Sequence, residues 1–201
     1  MKHRLVHDPA FYKRFFSIWS VLVLYNVITL GVNLADNVMI GAYSETAMSG
    51  VSAVNQIQFV FQQLIMGAGE AVLVLGSQYW GARRAEAIKR FAVGALLLGA
   101  TLSLALFLSA CIAPEGMVAI FTKDAAIQAA GVEYLRIAKY TYLLFAMTQL
   151  LLAVLRSVET VRVGFWVSVA TLVTNISLNY LFIEGHWGAP ALGVTGAALA
   201  N

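Results

Sequence analysis

The chain has 201 residues, 60% hydrophobic and 11% charged, with a mean hydropathy of +0.78. Soluble domains are about 25% charged, so this composition excludes an ordinary soluble globule and points to a membrane protein. A formal charge of +3 is too small and too scattered for nucleic acid, and the lone Cys111 excludes an intramolecular disulfide or a cysteine-based metal motif.

The N-terminal arm, residues 1–14, is basic and polar. The apolar run after it extends to Gly41, too long for a signal-peptide core, and no small-residue cleavage site follows. It is read as a retained first span. Crossing the hydrocarbon takes about 20 helical residues. Full candidates lie at residues 15–40, 48–77, 91–113, 134–155 and 164–183, and a sixth helix begins at 194 and reaches the chain end at 201. A β-barrel is excluded, because the segments are too long for strands of about 10 residues and do not alternate with period two. The expected fold is an all-α polytopic bundle. Between the third and fourth spans, FTKDAAIQAAGVEY is locally amphipathic and suits an interfacial helix on the outer face. Cys111, in an apolar helix, is expected to be an inert packed thiol.

Basic residues set the orientation. Lys2, Arg4, Lys13 and Arg14 precede the first span, Arg83, Arg84, Lys89 and Arg90 follow the second, and Arg156 and Arg162 bracket the turn after the fourth. Ten of the 13 Lys and Arg thus fall in alternate connections, which places the N-terminus in the cytoplasm of a plasma (inner) membrane protein. Arg136 and Lys139 are exceptions. They either snorkel outward or face a cavity that receives anions.

Polar residues inside the spans follow helical spacing. The first span carries Thr29, Asn33 and Asp36, the second Asn55, Gln58 and Gln62, and the fifth Ser168, Thr171, Asn175 and Asn179. Asp36, in NLADNVMIG, is the only acid of its span. A charge there costs roughly 2.5–3.5 kcal/mol on insertion scales, so it is a functional candidate. Asp36 and Asn179 each lie five residues before the outer end of their span, about 7 Å deep, and are expected to meet. A carboxylate with amide oxygens suits Na⁺ or a held proton. Asn33, Asn55, Gln58, Gln62 and Thr171 would line a shared polar cavity. Glu70, in the inner half, is expected to form a separate polar site paired with a cytoplasmic-side Arg. His3, His7 and His186 are scattered, and no metalloprotease, nucleophile-elbow or P-loop pattern occurs. Asp36 and Glu70 lie at different depths and make no carboxylate dyad, so no enzyme, metal or cofactor is expected.

Several stretches together resemble the multidrug and toxic compound extrusion (MATE) transporters. They are DNVMIG at residues 36–41, GSQYWGARRAEAIKR, and LRSVETVRVGFWVSVATLVTNISLNYLFIEG followed by GAPALGVTGAALAN. The resemblance covers nearly the whole chain. It implies a twelve-helix, two-lobe fold whose members exchange Na⁺ or H⁺ for organic cations, with this chain matching the first lobe and stopping inside helix six. On that basis the chain is expected to be an N-terminal piece whose C-terminal lobe is missing. The family's first-lobe cation site carries over as Asp36 and Asn175. Its helix-five acid is Asn179 here and its helix-six Thr falls at Asn201. One carboxylate in place of two favours protonation of Asp36 over tight Na⁺ binding. The family's Arg-Gly-x-Gly turn is Arg156-Ser157-Val158-Glu159 here. The expected activity is therefore cation-coupled export of organic cations, with small molecules and membrane lipid as partners. The rival readings are a lipid-linked saccharide flippase, which would use Arg136 and Lys139, and a non-transporting partner subunit.

Overall fold

The computed structural model describes residues 9–183, 185 and 191–200; the side chains of Asn33, Asp36 and Tyr43 lie outside that description. Among the described residues all regular structure is helical: α1 (Pro9–Tyr43), α2 (Glu45–Gly81), α3 (Ala85–Ile112), α4 (Pro114–Ala119), α5 (Ala125–Ala138), α6 (Thr141–Ser157), α7 (Arg162–Phe182) and α8 (Val194–Ala200).

Local chemistry sets the helix ends. Ser44 is the only residue between α1 and α2, and its hydroxyl accepts from the Ala47 N–H at 3.3 Å as an N-cap. Pro114 ends α3 and opens α4, because the residue before proline, Ala113, is pushed out of the helical region. Asp124 caps α5 by accepting from Ala126 and Ile127 at 2.8 and 3.1 Å. α2 ends in a Schellman turn: Arg83 N–H reaches the Trp80 carbonyl and Arg84 N–H the Tyr79 carbonyl. α6 ends the same way, with Glu159 N–H on Arg156 and Thr160 N–H on Leu155. The left-handed position of each turn, normally glycine, is filled by Arg83 (φ 56°) and Glu159 (φ 61°), a conformation that costs an L-residue about 1–2 kcal/mol. Glu159 is where the MATE-like turn has its second glycine, and its carboxylate pairs with Arg14 of α1.

α2 is the centre of the bundle, contacting α3, α5 and α6, while α1 pairs with α7, and α8 packs between α5 and α7. The α2 face of Val51, Val54, Phe61 and Ile65 joins Leu135, Tyr142, Ala146 and Leu150 in the core. Gly50 lets α2 and α5 touch backbone to backbone. A Cβ there would lie 2.7 Å from the Gly131 nitrogen and 2.9 Å from the Ile127 carbonyl oxygen.

α1, α2, α3 and α7 are each long and apolar enough to cross a membrane, and α5 with α6, bent by 59°, has the combined length and composition of a broken span or a re-entrant loop. The expected fourth span at 134–155 is divided: residues 134–138 belong to α5, and the 17-residue α6 begins at Thr141. α5 is amphipathic, with one face turned into the bundle. Gly131, Val132, Tyr134, Leu135 and Ala138 are buried, and the small Gly131 allows α5 to dock into α2. α1 begins at Pro9, inside the expected 1–14 arm.

Candidate functional site

α7 is an inverted helix. Its buried residues are Ser168, Asn175 and Asn179, all polar. Val163, Trp166, Val167, Val173, Ile176 and Tyr180 are exposed. Apolar surroundings outside and amides inside are the reverse of a soluble helix, and they suit a lipid-facing helix with a polar interior. Asn179 is fully buried and Asn175 nearly so, and the Asn179 Nδ2 donates to Asn175 Oδ1 at 3.3 Å. The bond follows from their i, i+4 spacing, which stacks the two amides on one face. Thr171 of the same sequence stripe is exposed, so the stripe is split: three residues turn inward and Thr171 turns out.

The level of Asp36 follows from the backbone. Arg14 pairs with Glu159, just before α7, so α1 and α7 start at the same end and run parallel. A Cβ on Gly164 would lie 3.9 Å from the Tyr25 ring, which fixes the register. Asp36 and Asn175 both lie eleven residues further on, about 16 Å along each helix. Asp36 thus belongs to the level of the buried amide pair, while its side chain and that of Asn33 lie outside the described atoms, and Asn201 lies outside the described residues altogether. Thr29 donates its hydroxyl hydrogen to the Tyr25 carbonyl at 3.0 Å.

On α2, Asn55, Gln58 and Gln62 are half-buried at the edge of the core-facing surface. Glu70 is exposed, and the Arg partner expected for it is not found among the described residues. The reason is directional: Glu70 points away from the core, about 16 Å along the helix from its basic end at Gly81. The exposed face holds a second stripe that the sequence reading passed over. Gln56, Gln63, Glu70 and Ser77 repeat every seven residues, all exposed. They span about 31 Å of helix, the thickness of the hydrocarbon. The seven-residue spacing was available in the sequence; the half-buried stripe beside it drew the attention.

Lys139 sits at the α5–α6 bend. Its ammonium lies 5.7 and 5.3 Å from the Phe107 and Tyr140 ring centroids and 3.3 Å from Cys111 Sγ. Cys111 is exposed beside that ammonium, which corrects the expectation of a packed thiol. With Lys139 held by aromatic rings and Arg136 exposed, the two cations form no shared cavity for a pyrophosphate.

Comparison with known proteins agrees with this architecture. The chain is 29% identical over 177 residues to the probable multidrug resistance protein NorM of Thermotoga maritima, covering 88% of this chain and 38% of the relative. It is 28% identical to the protein of the same name from Rhizobium meliloti, covering 85% of this chain and 36% of that one. Among solved structures, a MOP superfamily transporter from Pyrococcus furiosus superposes with a TM-score of 0.83 at 19% identity, covering 94% of this chain and 41% of the other. The outward-facing conformation of a multidrug resistance MATE family transporter gives the same TM-score, identity and coverage. The chain therefore spans about 40% of the length of the relatives it matches. A family model described as MatE matches residues 22–181, and with at least four helices long and apolar enough to cross a membrane, the chain belongs to the MatE family of multi-pass membrane proteins.

Proposed function

We propose that the full-length protein is a cation-coupled efflux transporter of the plasma membrane, N-terminus in the cytoplasm, that exports organic cations in exchange for H⁺ or Na⁺. The observation that carries this reading is the inverted helix α7. Its buried Asn175–Asn179 pair lies on the helix next to α1, at the level of Asp36. Asp36 is the charged ligand, Asn175 and Asn179 are neutral ones, and Asn201 of helix six completes the set. Ion binding neutralises the carboxylate, which lowers the cost of keeping it within the membrane span. A charge change of that kind biases α1 between two positions and drives release of substrate, because an ion can shift an equilibrium only by its differential affinity for the two states. Asn179 stands where the MATE resemblance implies a second acid, and one carboxylate in place of two favours H⁺ as the coupling ion. The half-buried Asn55, Gln58 and Gln62, together with Asn33, line the polar path, and Thr171 faces outward from this lobe. Glu70, on the exposed α2 stripe, supplies a negative charge toward a cationic substrate. The printed names of the NorM relatives support the drug-export class, and the missing second lobe supplies the other wall of the cavity.

The test is Asp36→Asn in the full-length protein, with uptake of a cationic dye into inside-out vesicles read against an imposed ion gradient. Gradient-driven transport should vanish while membrane insertion stays normal. Undiminished ion-driven export by this variant would refute the assignment.

A further inference from the structure

We propose that the cleft between the end of α2 and the start of α3 binds the phosphate of an anionic phospholipid headgroup through Arg83, Arg84 and Arg90. This inference concerns the basic end of the bundle and does not rest on the transport reading. The cleft has a volume of about 810 Å³ and is lined by Tyr79, Arg83, Arg84, Glu86, Arg90 and Phe91, among others. All three arginines are exposed, and among the described residues no acid pairs with them. Glu86 is the one acid of the cleft, and Lys89 holds it at 2.7 Å, so its charge is offset and the three guanidinium groups remain uncompensated. Loop charge needed only for orientation has no reason to converge on one cleft. These charges do converge, and the fork of a guanidinium matches a phosphate in two bonds at once.

The surroundings select a lipid over a free anion. The Tyr79 and Phe91 rings stack at 5.5 Å and wall the cleft with an apolar surface. Trp80, exposed beside them at the end of α2, is the residue type that sits at headgroup depth. A headgroup with its glycerol and first methylenes uses both the arginines and the ring wall; a free phosphate uses only the arginines. Basic pockets between membrane helices bind such headgroups elsewhere. The neighbouring cleft at the same end makes a contrast. It is lined by Lys13, Arg14 and Arg162, but Glu159 is tied to Arg14 inside it, which lowers its net charge.

The experiment uses the purified full-length protein, with phosphatidylglycerol, phosphatidylcholine and inorganic phosphate as probes and lipid retention read by native mass spectrometry. The Arg83→Gly/Arg90→Gln variant removes two guanidinium groups, and glycine suits φ 56°. Lys13→Gln/Arg162→Gln removes the same charge from the other cleft. Wild type should prefer phosphatidylglycerol over phosphatidylcholine, and that preference should fall about fivefold per arginine removed, leaving the second variant unchanged. Equal losses in both variants would reduce the effect to diffuse attraction and overturn the site. So would displacement of phosphatidylglycerol by inorganic phosphate at matched concentration, or a wild type with no preference. If the first variant does not fold, Arg84→Gln is held to the same criteria.

Discussion

Gly50→Ala tests the packing that carries the whole lobe. One methyl group is added where α2 meets α5. Its carbon would lie 2.7 Å from the Gly131 nitrogen, 2.8 Å from the Ala130 Cβ and 2.9 Å from the Ile127 carbonyl oxygen. Each contact is closer than carbon tolerates. Two of the three partners are backbone atoms of a helix, and the third is a Cβ that cannot rotate away. The strain is therefore relieved only by parting α2 from α5, and overpacking of this kind costs about 1–3 kcal/mol. Gly67→Ala is the matched control. It lies in the same helix, and nothing lies within 4 Å of its added carbon. Losing a helical glycine there should stabilise by about 0.4–1 kcal/mol. The two variants carry the same chemical change and should differ in sign. Fluorescence-detected thermal unfolding of the full-length protein in detergent should put Gly50→Ala below wild type and Gly67→Ala at or above it. Equal melting of the two would refute the close crossing of α2 and α5.

Other sites give separate tests. Asn179→Leu should remove the Asn179–Asn175 amide hydrogen bond from a buried site and lower stability in thermal unfolding, whereas Asn179→Asp introduces a second acid and should make vesicle transport more dependent on Na⁺. Ser103 donates to the Gly99 and Tyr142 carbonyls at 2.6 and 3.3 Å, joining α3 to the start of α6, so Ser103→Ala should lower Tm slightly, in keeping with about 0.6 kcal/mol for a membrane hydrogen bond. Glu70→Gln should weaken export of a cationic dye while sparing a neutral substrate of similar size; equal loss for both would assign Glu70 a structural role.

The span pattern was legible because hydropathy and length carry it directly, and the fold class followed from them. The α5–α6 break was not legible. Residues 134–155 are apolar enough on average to read as one helix despite Arg136 and Lys139, and neither a proline nor a glycine marks the 59° bend between α5 and α6. Asn175 and Asn179 were recoverable because a four-residue spacing places amides on one face in any helix. Thr171 stands four residues before Asn175 yet is exposed, and only the packing of α7 draws the line between the two. The α2 surface shows the same limit: spacing identifies stripes, but only tertiary contacts decide which of two stripes turns inward. The Arg156-Ser157-Val158-Glu159 departure was visible as a missing glycine, and its compensation was not. Ser157 lies against Gly76, and Glu159 reaches Arg14 from another helix 145 residues away.

The pairing of α1 with α7 has a consequence for how the protein is made. α1 ends at Tyr43 and α7 begins at Arg162, so 118 residues must be synthesised before the partner of α1 exists. At about 5–20 residues per second, that is roughly 6–24 seconds during which the helix carrying Asp36 lies in or beside the insertion machinery without α7. Asp36 is the only acidic or basic residue between residues 15 and 43, so it is the group that opposes entry of α1 into the lipid during this interval. A substitution at residue 36 can therefore act on insertion of α1 before α7 is translated, separately from any effect on the finished lobe.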